Sequence, residues 1–198
     1  MNSKRRNAMK FSLACAASLL CVGTASFGAS LNSKEKNMQK CVYIVHGYDA
    51  SPKKHWFVWL KGEIEKSGAR AEILTMPTPA HPRLDEWLKT LRESVKFEGE
   101  VYLVGHSLGC PTILNFLQSS AASGAVEGVV LVSGLAKPLS DPQFKILDEF
   151  MDRGFDFERI KAAAKQRAVI AAKDDYIVPF SFSRELAGQI DAKFYEVQ

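Results

Sequence analysis

Val101-Tyr102-Leu103-Val104-Gly105-His106-Ser107-Leu108-Gly109-Cys110-Pro111 is the stretch on which the reading of this chain turns. Four apolar residues suited to a buried strand run into Gly-x-Ser-x-Gly, and a helical pattern follows over 111–118. A strand that reverses into a helix over so few residues leaves no room for side chains two positions before and two after the serine, hence glycine at 105 and 109. Such a turn holds the Ser107 hydroxyl clear of the sheet, at a helix N-terminus whose free N–H groups favour a developing negative charge. Pro111 falls in the first turn of that helix, where its missing N–H costs nothing.

Outward from this stretch, short apolar runs recur at 41–46, 71–76, 101–105, 129–133, 168–172 and 194–197. Their spacing leaves room for a helix between most of them. This βαβ rhythm predicts an α/β domain in three layers, with a mostly parallel sheet of about six strands. Trp56, Leu60 and Ile64 mark one face of a helix between the first two runs. Leu84, Trp87, Leu88, Leu91 and Val95 mark one between the second and third by their i, i+3, i+4, i+7 spacing. The tryptophans read as core. Residues 141–165 are amphipathic and helical in outline, with Phe144, Ile146, Leu147, Phe150 and Phe155 apolar and Gly154 as a break. They read as an excursion between strands that flanks the mouth of the site.

A chain of 198 residues, 46% hydrophobic and 24% charged, suits a single domain with a substantial core. The net charge of +4 is carried by Lys4, Arg5, Arg6 and Lys10, since residues 1–29 hold no acid. The remainder is neutral, so composition gives no reason to expect a nucleic-acid partner. Residues 1–29 have the layout of a signal peptide: a basic region, an apolar stretch over 11–25, and small residues at Ala25, Ser26, Gly28 and Ala29. This implies export to the periplasm or the medium. It leaves a polar lead-in over 30–40 and a domain over 41–198. The apolar stretch is too short, and too rich in Ala, Ser and Gly, for a stable membrane span after signal removal. A start at Met38, just before the first strand, would instead give a cytoplasmic protein. Cys41 and Cys110, placed roughly 16 Å apart along parallel strands, read as unpaired thiols, and Cys110 as a packing residue.

A serine at such a turn needs two oxyanion donors. One is the N–H of the following residue, Leu108, and the other comes from the loop after an earlier strand. His46-Gly47-Tyr48 ends the first strand in that place: Gly47 lets the backbone come close, and the Tyr48 N–H is the better donor. His46 and His106 read as packed imidazoles beside the site. The acid follows a later strand, where Asp174 and Asp175 stand. Asp175, four residues ahead of Pro179, is the expected one, with Asp174 a solvated neighbour. The histidines His46, His55, His81 and His106 all precede Asp175, so the chain order Ser, acid, His finds no base. Loss of one triad member lowers turnover steeply, leaving about 10³–10⁴ over water from the oxyanion donors and binding. No His-Glu-x-x-His or similar ligand spacing occurs, and no metal or cofactor is expected.

With these residues in hand, the chain resembles the small serine hydrolase family of compact α/β-hydrolases, and most closely its bacterial, esterase-like branch. The resemblance runs over 38–198. It is carried by Val42-Tyr43-Ile44-Val45-His46-Gly47-Tyr48, His55-Trp56-Phe57, Met76-Pro77, the stretch 105–111, Leu131-Val132-Ser133-Gly134 and the stretch 173–180. It implies cofactor-free cleavage of a small-molecule ester, thioester or amide, with Ser107 as nucleophile and Asp175 as triad acid. In that family a Gly-His motif and a last helix follow the final strand, so the resemblance describes a C-terminally truncated domain. Four apolar side chains on such a helix would contribute about 6–12 kcal/mol, so low stability or exposure along the last strand is expected. A hydrolase-like binding protein without turnover is the alternative. The sequence leaves oligomeric state and substrate identity open.

Overall fold

The computed structural model describes residues 39–119 and 126–197. The expected signal peptide at 1–29, and the lead-in as far as residue 38, lie outside the described residues. Six strands form one sheet: β1 (Lys40–Val45), β2 (Arg70–Leu74), β3 (Glu100–His106), β4 (Val126–Val132), β5 (Ala164–Ala172) and β6 (Lys193–Val197). Their order is β2-β1-β3-β4-β5-β6, and every neighbouring pair is parallel. The expected three-layer α/β fold is thus present, with all six strands running one way.

The central strands read as unbroken apolar runs because both of their faces are covered. Along β1, Cys41, Tyr43 and Val45 enter one core, while Val42 and Ile44 enter the other, as the two-residue period of a strand requires. The second core is closed by α1 (Phe57–Lys66), through Phe57, Leu60 and Ile64, together with Trp56. The first is covered by α2 (Leu84–Ser94), α3 (Gly109–Gln118), α4 (Phe157–Ala163) and α5 (Phe180–Gln189). Trp87, Leu91, Ile113, Phe116, Ile160 and Leu186 fill it. Both tryptophans that mark helix faces, Trp56 and Trp87, are buried core residues.

Two elements depart from the sequence reading. The excursion over 141–165 is a 3₁₀ segment, Pro142–Phe150, followed by the short α4, with Gly154 at φ 67 between them. Asp141 accepts from the Gln143 N–H at 3.0 Å and Asp156 from the Arg159 N–H at 3.0 Å, so each piece has its own start. The excursion also ends earlier than expected, since Ala164 already pairs with Val126 in the sheet. Tertiary pairing there overrides the helix preference of an alanine run. The helix α5 has no counterpart in the apolar pattern, because one of its buried positions is Ser183, whose hydroxyl donates to the Gly134 carbonyl at 2.8 Å.

Helix α2 lacks a side-chain cap of its own at Arg83. Glu149, from the 3₁₀ segment, supplies it: its carboxylate accepts the Leu84 N–H and pairs with Arg83 at 3.1 Å.

Candidate active site

The register of the sheet brings the C-terminal strand ends level. Val45 lies beside Gly105, His106 beside Val132, and Val132 beside Ile170. The loops after β1, β3, β4 and β5 therefore gather at one rim, where an open α/β sheet carries its ligands.

Ser107 sits at the end of β3 with φ 50, a left-handed conformation that is costly for any residue with a side chain. Its N–H donates to the Val132 carbonyl at 2.9 Å, and its own carbonyl accepts from the Cys110 N–H at 2.8 Å. These two bonds fix the strand-to-helix turn. The flanking glycines are needed for close approach. A Cβ on Gly105 would stand 3.0 Å from backbone atoms of Gly109 and Cys110, and one on Gly109 would run into the Val45 carbonyl. Among the described residues, neither the Leu108 N–H nor the Tyr48 N–H is taken by a backbone acceptor. The loop carrying Tyr48 lies against the nucleophile, since a Cβ on Gly47 would be 3.1 Å from Ser107 Cβ. The Tyr48 ring meets Phe144 of the 3₁₀ segment edge-on at 6.3 Å, joining this loop to the excursion.

Asp175 lies in the turn after β5, two strands from Ser107. One carboxylate oxygen accepts the N–H groups of Ile177 and Val178 at 3.0 and 3.1 Å. The other accepts the Ser133 hydroxyl at 2.7 Å. Asp174 is exposed while Asp175 is half-buried. Next to them Tyr176, 85% exposed, stands at the rim. Ser133 is a candidate site residue that the sequence reading did not assign. It ends β4, is buried, and adopts φ 50 as Ser107 does. Its place in the quoted Leu131-Val132-Ser133-Gly134 motif was the only signal.

His46 is packed, with its ring edge-on to Trp87 at 5.6 Å. Nδ1 is 2.9 Å from the Gly47 carbonyl, and Nε2 accepts the Met76 N–H at 3.2 Å. Burial holds its pKa below the ordinary value, against the opposing pull of the Gly47 carbonyl. His106 is enclosed by His55, Trp56 and Phe57 at centroid distances of 5.2 to 5.7 Å. Its pKa is pushed down to about 3, first by burial and then by facing His55 and His46. Its Nδ1 has no hydrogen-bond partner among the described residues. His81 lies on the exposed loop after β2. The hydrogen bonds to the Asp175 carboxylate come from Ser133, Ile177 and Val178, not from a histidine. Cys41 and Cys110 are both free and buried, and burial pushes the Cys110 thiol up. Among the described residues, no group of three or more His, Cys, Asp or Glu side chains could hold a metal ion, and no helix is long and apolar enough to cross a membrane.

A three-layer parallel sheet whose central strand ends in a strained serine turn leading straight into a helix has the architecture of the α/β-hydrolases. The chain belongs to the serine hydrolase family, whose family model matches residues 42–198, and it is a hydrolase. It is 53% identical to YdeN of Bacillus subtilis over 162 residues, covering 81% of this chain and 84% of that protein. The crystal structure of the ydeN gene product from that organism aligns with a TM-score of 0.74 at 52% identity, over 81% of this chain and 86% of that one. Serine hydrolase RBBP9 of Rattus norvegicus is 25% identical over 142 residues, covering 71% of this chain and 74% of that protein. Est1E from Butyrivibrio proteoclasticus shares the fold at 14% identity, with a TM-score of 0.63 over 82% and 80% of the two chains.

Proposed function

We propose that the rim site cleaves carboxylic esters, thioesters or amides of small molecules through an acyl-serine intermediate. Ser107 attacks the acyl carbon, the N–H groups of Leu108 and Tyr48 hold the oxyanion, and Asp175 orients a histidine base. In the resembled family that base comes from the segment that follows the final strand. The observation that carries the reading is the turn as a whole: Ser107 stands between β3 and α3, flanked by Gly105 and Gly109 where a Cβ would meet backbone, beside Leu108 and Tyr48 N–H groups that no backbone acceptor among the described residues takes. Asp175 supports it from the second turn along, with its carboxylate already held by three donors.

The test is a fluorophosphonate probe applied to the folded protein carrying a histidine-bearing segment after β6. The probe is expected to modify Ser107, and Ser107→Ala to remove the label. A folded protein that takes no label, yet binds esters equally well as Ser107→Ala, would instead be a binding protein on a hydrolase scaffold. The leader layout supports export of the chain, which N-terminal sequencing of protein from the host's extracytoplasmic fraction checks. An intact start in the cytoplasmic fraction would overturn that.

A further inference from the structure

His46 has both ring nitrogens committed. A carbonyl oxygen only accepts, so the contact between Nδ1 and the Gly47 oxygen at 2.9 Å places a proton on Nδ1. A backbone N–H only donates, so the Met76 contact at 3.2 Å leaves Nε2 bare. Together they select one neutral tautomer, and no second arrangement satisfies both neighbours. The ring cannot turn away from them either, because it is 1% exposed and is wedged against Trp87, whose own Nε1 donates to the Pro77 carbonyl at 2.9 Å. Burial disfavours the imidazolium, which keeps the tautomer neutral.

The consequence falls on the next peptide. The Gly47 carbonyl and the Tyr48 N–H belong to one planar trans unit, in which the two point in opposite directions. Fixing the oxygen therefore fixes the hydrogen. That peptide lies against the nucleophile, as the 3.1 Å approach of a Gly47 Cβ to Ser107 Cβ shows. A glycine peptide without such a latch could flip and present its carbonyl to the substrate oxygen, which would repel the oxyanion.

We infer that His46 is a positioning residue for the reaction: its Nδ1–H holds the Gly47 carbonyl so that the Tyr48 N–H is aimed at the oxyanion. The link to catalysis rests on the hydrolase reading above, while the tautomer and the peptide orientation stand apart from it.

Two near-isosteric substitutions separate the contacts, because the amide of Asn superposes on Nδ1 and that of Gln on Nε2. His46→Asn keeps a donor for the Gly47 carbonyl, and His46→Gln keeps only the acceptor for Met76. Oxyanion donors sustain reaction at the serine whether or not a base assists, so the chain itself is assayed with a fluorophosphonate probe, with Ser107→Ala as the blank. His46→Asn should stay near the wild-type rate. His46→Gln should lose about 100-fold in the maximal rate, the scale of one lost oxyanion donor, with little change in half-saturating probe concentration. The reverse order, or equal rates, overturns the inference and leaves His46 a structural bridge to β2. Long-range 1H–15N spectra of wild-type His46 give a reading independent of reactivity and of whether the variants fold: a protonated Nδ1 with bare Nε2 is expected, and a protonated Nε2 overturns it. If the chain takes no label, the tautomer result alone decides the orientation of the peptide, and the hydrolase reading fails only if the histidine-bearing protein takes none either.

Discussion

Two neighbouring turns of this molecule begin the same way and end differently. After β3 and after β4 stands a serine at φ 50. In each case its N–H donates at 2.9 Å to the next strand: Ser107 to the Val132 carbonyl, Ser133 to that of Ile170. The backbone strain is therefore shared, and it does not by itself mark a nucleophile. The hydroxyls differ. That of Ser133 is buried and spent on Asp175 at 2.7 Å. Ser107 is half-buried and followed at once by Leu108 and α3, and the Leu108 and Tyr48 N–H groups beside it have no backbone acceptor among the described residues. In the proposed reaction one turn offers its oxygen to a substrate, while the other binds its oxygen to the Asp175 carboxylate.

Substitutions at these turns test the contrast. The largest effect is expected for Gly109→Ala, since the new Cβ meets backbone at Val45 and His46 and cannot be relieved by a rotamer change. A loss of about 3 kcal/mol, the upper end of ordinary overpacking costs, should appear in urea unfolding. Ser133→Ala comes next. It removes one donor from a carboxylate that is still partly hydrated, for about 1.5 kcal/mol, and the same variant should slow modification of Ser107 wherever a histidine base is present. Ser107→Gly should move the other way, gaining about 1 kcal/mol by releasing the left-handed strain. Ser133→Gly, which gains the same relief but loses the bond to Asp175, should end near zero. A gain at Ser133 equal to that at Ser107 would show the bond to be idle.

The most gradual expectation concerns acid. His106, held down to about 3, and His46, lowered by burial, resist protons that the unfolded chain accepts from about 6.5 downward. The unfolded state then binds more protons across that window, so stability is full above it and falls as pH drops through it. Unfolding midpoints measured across the acidic range should decline, and His106→Phe should flatten the slope.

Most of the scaffold was legible because buried parallel strands are long apolar runs: all six, from 41–46 to 194–197, are strands. The elbow was legible because Gly105 and Gly109 answer to a steric demand that few other contexts make. What stayed hidden depends on contacts far apart in the chain. Ser133 acquires its partner only once β4 and β5 are neighbours, 42 positions apart in that bond. The latch at His46 needs Met76, 30 positions away. Helix α5 was missed because its inward face includes Ser183, and a polar residue that satisfies a carbonyl in the core reads in sequence as a surface residue.

The cap that Glu149 lends to α2 ties two walls of the rim into one body. The 3₁₀ segment cannot swing outward as a hinged flap without stripping the Leu84 N–H of its acceptor, a penalty of about 1 kcal/mol for an uncapped helix. Trp87 and Phe150, stacked edge-on at 5.5 Å, would have to part in the same movement. The 3₁₀ segment is accordingly braced against α2 from two sides, and any outward movement has to break a polar and an aromatic contact together.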